Sequence, residues 1–177
     1  QDKDWLQEHF ISNIFPALSP IAIDPAHPFP FLPNLSLAII VELKDFNNKK
    51  VKAVIPLPTK ISRFIKIPGN TERYILLEDV INLNRDDLFP GSKITAFGIM
   101  QVTRDSDLEI EEDAEDLLSL FEKAVKRRKR GSVIRLTISK ETPENLQNLV
   151  TTELGINSKD VIKAVSYTHL TLPTIRL

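Results

Sequence analysis

The fold of this 177-residue chain is predicted chiefly by one stretch, TRDSDLEIEEDAEDLLSLFEKAVKRRKRG, which runs from Thr103 to Gly131. Apolar residues recur in it every three or four positions, which is the spacing of an amphipathic helix that packs on a core. These residues are Ile110, Ala114, Leu117, Leu118, Phe121, Ala124 and Val125. Acidic residues crowd its first half and basic residues its second half, the order that the helix macrodipole favours. We expect Gly131 to end this helix by adopting a positive φ.

The composition around this stretch is that of a globular protein of one domain, with 42% hydrophobic and 27% charged residues. No apolar run approaches the roughly 18–20 residues that span a bilayer, so no transmembrane segment is expected. The absence of cysteine excludes disulfides and cysteine-based zinc sites. A net charge of −1 provides no general attraction to nucleic acid or to a membrane, so any affinity for a polyanion must be local.

On the N-terminal side, the spacing of apolar residues predicts a helix over Lys3–Phe15 that ends at Pro16. The next stretch, PALSPIAIDPAHPFPFLP over 16–33, is too rich in proline for a regular helix or a central strand. Its interleaved apolar residues favour burial, so we expect an extended segment packed on the domain. A PxxP ligand for a peptide-recognition domain is the alternative.

The patterns that follow predict strands over 35–43 and 51–57, joined by a hairpin turn at 44–50. Pro56 places the second of these strands at a sheet edge, because proline cannot donate a ladder hydrogen bond. Further on we expect a strand over 74–77, a helix over 78–88 and a strand over 94–103.

After the central stretch, residues 132–139 alternate, which predicts a strand with Ile134, Leu136 and Ile138 on one face. Thr142 is the expected N-cap, and Pro143 the first residue, of a helix that stops at Gly155. Strands and helices therefore alternate irregularly along the chain. This predicts an α+β fold with an antiparallel or mixed sheet packed with amphipathic helices, preceded by the N-terminal helix and the proline-rich extended segment.

Patterns typical of catalysis are scarce in the sequence. The five glycines are scattered, so there is no phosphate-binding loop, and neither His9 nor His27 has a second histidine at metal-ligand spacing. The acidic run 105–116 lacks the alternation of an EF-hand and is expected to be a solvated helix start. We expect His27 and Asp24 to form a structural hydrogen-bonded pair, with a general base as the alternative.

The basic residues are the functional lead that the chemistry provides. Arg104, Arg127, Arg128 and Arg135 are candidate phosphate or interdomain contacts, because the guanidinium fork matches the oxygens of a phosphate group. Arg127 and Arg128 would lie at the end of the central helix. For these two residues the alternative is a solvated helix end that binds no ligand.

Several stretches also carry a family resemblance. They are FPALSPIAIDPAHPFPFLPNLSL at 15–37, ISRFIKIP at 61–68, LFPG at 88–91, VTRDSDLEIEEDAEDLL at 102–118 and RRKRGSVIRL at 127–136. Together they resemble the bacterial polyphosphate kinase family of the phosphohistidine type, specifically its middle or head domain, over nearly all of residues 1–164. Ser106 stands where alanine is usual in the family, a small departure that changes none of the implications.

The resemblance implies a division of the chain. Residues 1–15 would be the end of the N-terminal helical domain or a linker helix, and residues 16–164 the head domain. The stretch VSYTHLTLPT at 165–174 resembles a reading frame through a sequencing adapter, so we expect 165–177 to be an artefactual tail. On this interpretation the natural protein continues past Ala164 and begins before Gln1.

The resemblance also implies a parent enzyme that reversibly transfers the terminal phosphate of ATP to polyphosphate through a phosphohistidine, with Mg²⁺. In the family that histidine, and the arginines that bind metal and phosphate near it, lie in domains that would follow residue 164. The adenine contacts lie partly in a domain that would mostly precede Gln1. No catalytic, cofactor-binding or metal-binding residue is therefore expected in this chain, which is expected to be inactive alone.

The expected partners are the remaining domains of the same enzyme, polyphosphate, and a second copy that forms a homo-oligomer, a dimer, through the head domain. Nucleic acid is not an expected partner. The expected location is the cytoplasm, or the periphery of the inner membrane in the assembled enzyme. The alternative function is a non-catalytic anion- or protein-binding module that uses the basic cluster 123–135.

Overall fold

A computed structural model of the protein describes residues 2–24, 27–105 and 131–165. The helix expected between Thr103 and Gly131 falls mainly on residues 106–130, which lie outside the described residues. The described part combines helices with a mixed sheet, so the predicted α+β class is confirmed.

The N-terminal helix α1 (Asp2–His9) continues as a π-helical turn over Phe10–Ile14 and a 3-10 turn over Phe15–Ala17. Its apolar stripe places Leu6, Phe10 and Ile14 in the core, the last two with no exposed surface. Pro16 lies inside the 3-10 turn, and the chain is extended by Leu18. The predicted helix and its end at proline are therefore confirmed.

Eight strands form two sheets in the described part of the chain. The main sheet has six strands in the order β1-β3-β2-β6-β7-β8, and the second sheet pairs β4 with β5. The strands are β1 (Ile21–Ile23), β2 (Leu37–Lys44), β3 (Lys50–Pro56), β4 (Phe64–Ile67), β5 (Arg73–Leu76), β6 (Lys93–Arg104), β7 (Val133–Ser139) and β8 (Val161–Ala164). Every pairing is antiparallel except β7 with β8. Because parallel neighbours need a crossover, the chain returns from β7 to β8 through a helix.

Two further helices complete the described part. Helix α2 (Leu77–Leu83) follows β5 directly and leads into a 3-10 turn over Arg85–Asp87. Helix α3 (Glu144–Leu154) makes the crossover between β7 and β8. It ends as expected at Gly155, which has a φ of +62°, and the Ile156 amide donates to the Thr151 carbonyl oxygen across that end.

The main sheet has a core layer on each face. One layer joins Ile39, Val41 and Ile55 of the sheet to the N-terminal helix and α2. The other layer joins Ile40, Met100 and Leu136 of the sheet to α3 and the proline-rich segment. Burial of one such aliphatic side chain stabilises the fold by about 1.5–3 kcal/mol. Strand β2 lies between the layers, and its six residues 38–43 are all buried, as its mostly apolar run predicts.

The proline-rich segment packs on the domain, as expected. Its residues Ile21–Ile23 form the short edge strand β1 along β3. Leu32 is completely buried in the layer that α3 covers. The backbone amide of Leu35 donates to the carbonyl oxygen of Val102, 2.8 Å away, which fixes the end of the segment against β6.

The structure corrects the prediction that β3 lies at a sheet edge. β1 pairs with β3 at residues 52–54, so β1 and not β3 is the edge strand. Pro56 is compatible with this position because β1 begins opposite Val54 and does not reach Pro56. Pro56 pairs with β2 only, opposite Ala38.

Of the three residues predicted to share one face of β7, Leu136 and Ile138 are buried, whereas Ile134 is half exposed. The pairing of β6 with β7 shifts between Thr103 and Arg104, so Arg104 lies opposite Val133 and Ile134 has no opposite residue. A bulge of this kind breaks the two-residue alternation, which is why Ile134 differs in exposure from Leu136 and Ile138.

Two predicted helix ends are also wrong in detail. Pro143 is the N-cap of α3, and the buried Thr142 lies outside the helix, where its hydroxyl contacts the Ser139 hydroxyl at 2.7 Å. Gly131 does not adopt a positive φ. Glycine is required there for space, because a Cβ would lie 2.1 Å from the backbone oxygen of Asp105.

A buried carboxylate connects three elements of the main sheet with α3. Glu42 of β2 is 5% exposed and lies 3.1 Å from the ammonium of Lys50. It accepts hydrogen bonds from the Thr95 hydroxyl at 3.2 Å and the Asn145 amide at 3.1 Å. The hydrogen bond to Lys50 is the main cause that holds the pKa of Glu42 below its ordinary value of 4.5, against the opposing effect of burial.

Replacement of Glu42 by glutamine should lower the free energy of unfolding by about 2 kcal/mol near neutral pH, because hydrogen bonds to a buried charge are lost. Since the folded-state pKa is lowered, this stabilisation is present above about pH 4.5 and is lost as the pH falls through the folded pKa. Urea titrations of both proteins at several pH values measure the effect. The exposed pair Lys66–Glu72 supplies the control, Glu72→Gln, which should change nothing measurable.

The approach of Thr142 to β6 provides a second test of the packing. A Cβ at Gly98 would lie 2.4 Å from Oγ1 and Cγ2 of Thr142, so Gly98→Ala should destabilise the protein by about 1–3 kcal/mol through overpacking. Thr142→Ala should relieve most of this clash, which gives a favourable coupling of about 1 kcal/mol in a double-mutant cycle followed by thermal unfolding. Additive effects of the two substitutions would contradict the described contact.

Candidate functional site

Arg104, the last residue of β6, is held in a nearly closed environment and is only 9% exposed. Its Nε donates to the carbonyl oxygen of Leu32 and its Nη1 to the carbonyl oxygen of Gly131, both at 2.7 Å. The guanidinium carbon lies 4.3 Å from the centroid of the Phe31 ring. The Arg104 backbone amide donates to the side chain of Asn34 at 2.8 Å.

These contacts make Arg104 a clamp between the proline-rich segment and the start of β7. Burial lowers the pKa of the Arg104 guanidinium, but arginine is basic enough to keep its charge near neutral pH. Carbonyl oxygens and an aromatic face are both favourable partners for this charge. A contact of Arg104 with phosphate remains a prediction.

The structure does not bring Arg135 beside Arg104. Arg135 is exposed on β7 and lies opposite Thr103. Successive residues of a strand point to opposite faces, so Arg135 shares the face of Thr103 while Arg104 points toward the layer that contains Leu32. Arg127 and Arg128 lie outside the described residues. The predicted role of all four arginines in phosphate or interdomain contacts stays a prediction.

The expected pair of His27 and Asp24 is present. The Nδ1 atom of His27 lies 3.0 and 3.1 Å from the two carboxylate oxygens of Asp24, and the His27 backbone amide donates to Oδ1 at 2.8 Å. Reciprocal backbone hydrogen bonds join the same two residues. The side chains are 71% and 46% exposed. These contacts close a turn in the proline-rich segment, which is the structural role that the sequence predicts.

A second buried carboxylate connects α2 with β4. Glu78 is 2% exposed, and its Oε1 accepts a hydrogen bond from Nε of Arg63 at 2.9 Å, while Nη2 of Arg63 also contacts it. Burial, and then the charge of Glu78, raise the pKa of the neighbouring Asp79. The Leu77 backbone amide donates to the Arg63 carbonyl oxygen at 2.8 Å. Perturbed carboxylates can mark active sites, but here the contacts connect two elements of the fold.

Over the ranges 2–24, 27–105 and 131–165, no group of three or more histidine, aspartate or glutamate side chains could hold a metal ion. Within those same ranges, no helix is long and apolar enough to cross a membrane.

Strand pairing brings together a set of basic residues that sequence reasoning missed. Lys44 of β2 lies directly opposite Lys50 of β3 and also directly opposite Lys93 of β6. We call Lys44, Lys50 and Lys93 the lysine row. The sequence offers no local signal for it, because Lys93 reaches Lys44 only through the long-range pairing of β2 with β6.

The sequence and the fold were compared with known proteins. Residues 1–172 match the family described as "Polyphosphate kinase middle domain". The polyphosphate kinase of Erythrobacter litoralis is 40% identical over 159 residues, which cover 90% of this chain and 22% of that protein. The polyphosphate kinase of Pseudomonas aeruginosa is 34% identical over 177 residues, which cover 96% of this chain and 26% of that protein.

The fold also resembles a solved structure, the crystal structure of polyphosphate kinase from Porphyromonas gingivalis. The TM-score is 0.70 at 22% identity, over 94% of this chain and 24% of that chain. A likeness at this identity shows a shared fold. This chain spans about a quarter of the length of these three proteins.

The clamp formed by Arg104 leads to a test of its structural role. Arg104→Lys should lower the free energy of unfolding by about 2–3 kcal/mol, because a single ammonium cannot reproduce both carbonyl hydrogen bonds and the contact with Phe31. Arg135→Lys, a matched change on the adjacent strand at an exposed position, should stay within about 0.5 kcal/mol. Guanidinium chloride titrations measure both variants. Equal effects would contradict the clamp.

Proposed function

This chain belongs to the polyphosphate kinase family, as a middle domain, and on that premise we propose that it is the head-domain part of an ATP:polyphosphate phosphotransferase. The parent enzyme reversibly transfers the terminal phosphate of ATP to a polyphosphate chain through a phosphohistidine. The observation that carries the proposal is the family match over residues 1–172, together with relatives at 34–40% identity that are polyphosphate kinases.

The role we assign to this part is architectural. The charged side chains that the described part of the fold buries, Glu42, Glu78 and Arg104, are engaged in contacts between elements of the domain itself. A domain built in this way offers a rigid body against which other domains can assemble. We therefore propose that it frames the active site, that it contributes to homo-oligomer formation, and that it is inactive when separated from the catalytic domains.

ATP and Mg²⁺ are the cofactors of the proposed parent. The described residues form no cluster of three or more histidine, aspartate or glutamate side chains that could hold a magnesium ion. No step that involves Mg²⁺ or ATP is therefore assigned to these residues. The phosphohistidine belongs, in this proposal, to a domain outside the chain.

A chimera tests the proposal. Residues 1–164 would replace the aligned region of the Erythrobacter litoralis polyphosphate kinase, to which this chain is 40% identical. We expect the chimera to synthesise polyphosphate from ATP, because a domain of the same family and fold should support the same active site. A variant of the Erythrobacter enzyme that lacks the region, and the 177-residue chain alone, should both form no polyphosphate.

Two results would count against the proposal. One is a chimera that is folded and assembled, as judged by circular dichroism and sedimentation, yet inactive. The other is polyphosphate synthesis by the 177-residue chain alone, which would place catalysis within this chain.

A further inference from the structure

The lysine row lies at one end of the main sheet, across three adjacent strands. Residues that face each other on antiparallel strands share a face and have their Cβ atoms about 4.5–5.5 Å apart. Lys50, Lys44 and Lys93 therefore project from one face at nearly equal steps, across β3, β2 and β6. Lys52 lies two residues from Lys50 on β3 and points to the same face.

The described contacts place the carboxylate of Glu42 among these ammonium groups. Glu42 pairs with Lys50 at 3.1 Å and lies opposite Lys52, whose charge contributes to its lowered pKa. Its second oxygen is occupied by Asn145. No ion pair among the described residues involves Lys44, Lys52 or Lys93.

Such an arrangement works against folding, because like charges directly opposite each other on neighbouring strands are destabilising. Lys50 and Lys93 are exposed, and Lys44 and Lys52 are partly exposed, so their ammonium groups can reach a ligand in solvent. A polyanion that follows the row would replace repulsion between neighbours by attraction to a shared partner.

We infer that the lysine row and Lys52 form a binding surface for linear inorganic polyphosphate. Each ammonium is a compact charge with three donors, a good partner for phosphate oxygens. Phosphate units joined by single bridging oxygens repeat at a shorter distance than the spacing between neighbouring strands. A polyphosphate chain that lies along the row therefore places a negative charge near each lysine. This inference rests on the proposed function, because polyphosphate is the substrate of the proposed parent enzyme.

The surface is separate from Arg104, the buried one of the candidate arginines that the structure describes. Arg104 is clamped at the C-terminal end of β6, whereas Lys93 is the first residue of that strand. Lys93 and Arg104 lie at opposite ends of the twelve-residue strand β6, which rises about 3.3 Å per residue. The lysine surface and Arg104 can therefore be tested independently.

The test measures binding of short linear polyphosphate to the 177-residue chain by titration calorimetry at several salt concentrations. The variant replaces Lys44, Lys52 and Lys93 by glutamine and keeps Lys50, which pairs with the buried Glu42. We expect its affinity at low salt to fall by at least about tenfold. The slope of log K against log salt should flatten by about 2, since roughly 0.7 counterions are released for each neutralised phosphate of a single strand.

A matched variant controls for net charge. It replaces the exposed Lys60, Lys140 and Lys159 by glutamine, which removes the same number of charges away from the row. Its affinity should stay close to that of the unaltered chain. Thermal unfolding without polyphosphate checks the fold, and the variant at the row should still unfold cooperatively because the contact of Lys50 with Glu42 is kept.

Three outcomes would overturn the inference. They are no binding of polyphosphate by the unaltered chain, equal losses of affinity in the two triple variants, and equal affinity for oligothymidylate with the same number of phosphates. The last result would identify a surface for single-stranded nucleic acid. Because the proposed function is tested by synthesis in the chimera, an active chimera with no polyphosphate binding overturns this inference alone, and an inactive chimera with binding retained overturns the proposed function alone.

Discussion

The rest of the structure depends on one constraint, the burial of strand β2 on both of its faces. Its residues 38–43 have no solvent-facing side, so the fold must supply a covering layer above and below the same strand. The N-terminal helix and α2 supply one layer, and α3 with the proline-rich segment supplies the other. The composition of that segment suits its position over β2, because proline keeps the chain extended while the Leu32 side chain is buried in the core.

Because β2 is buried on both faces, the charged side chains of the interior must find their partners within the protein. Glu42 is the one acidic residue of β2, and it is stabilised by a lysine, a hydroxyl and an amide that come from three different elements. Arg104 donates hydrogen bonds to the backbone carbonyl oxygens of Leu32 and Gly131, which lie in two segments outside the sheet. Buried charges are tolerated when they are paired and hydrogen-bonded, and in this domain the pairing joins elements that are distant in sequence.

The interior contacts and the charged surface have separate roles in this molecule. The family match assigns the chain to the polyphosphate kinase middle domain, and the described residues supply a body with two core layers that can support neighbouring domains. Among the described residues, strand pairing places three lysines side by side where β3, β2 and β6 meet in the lysine row. A polyanionic substrate would be held there by charge spacing and not by a pocket.

The sequence by itself determined the α+β class, the N-terminal helix, the hairpin from β2 to β3 and the end of α3, because each follows from spacing or turn chemistry within a few residues. Its unusual stretches also pointed to the family. The tertiary structure decided that β1 is the edge strand, that a bulge turns Ile134 outward, and that Arg104 is buried against Leu32, a residue 72 positions away. It alone assembled the lysine row. Local periodicity cannot specify these features, because each depends on the register of strands that meet only after the chain has folded.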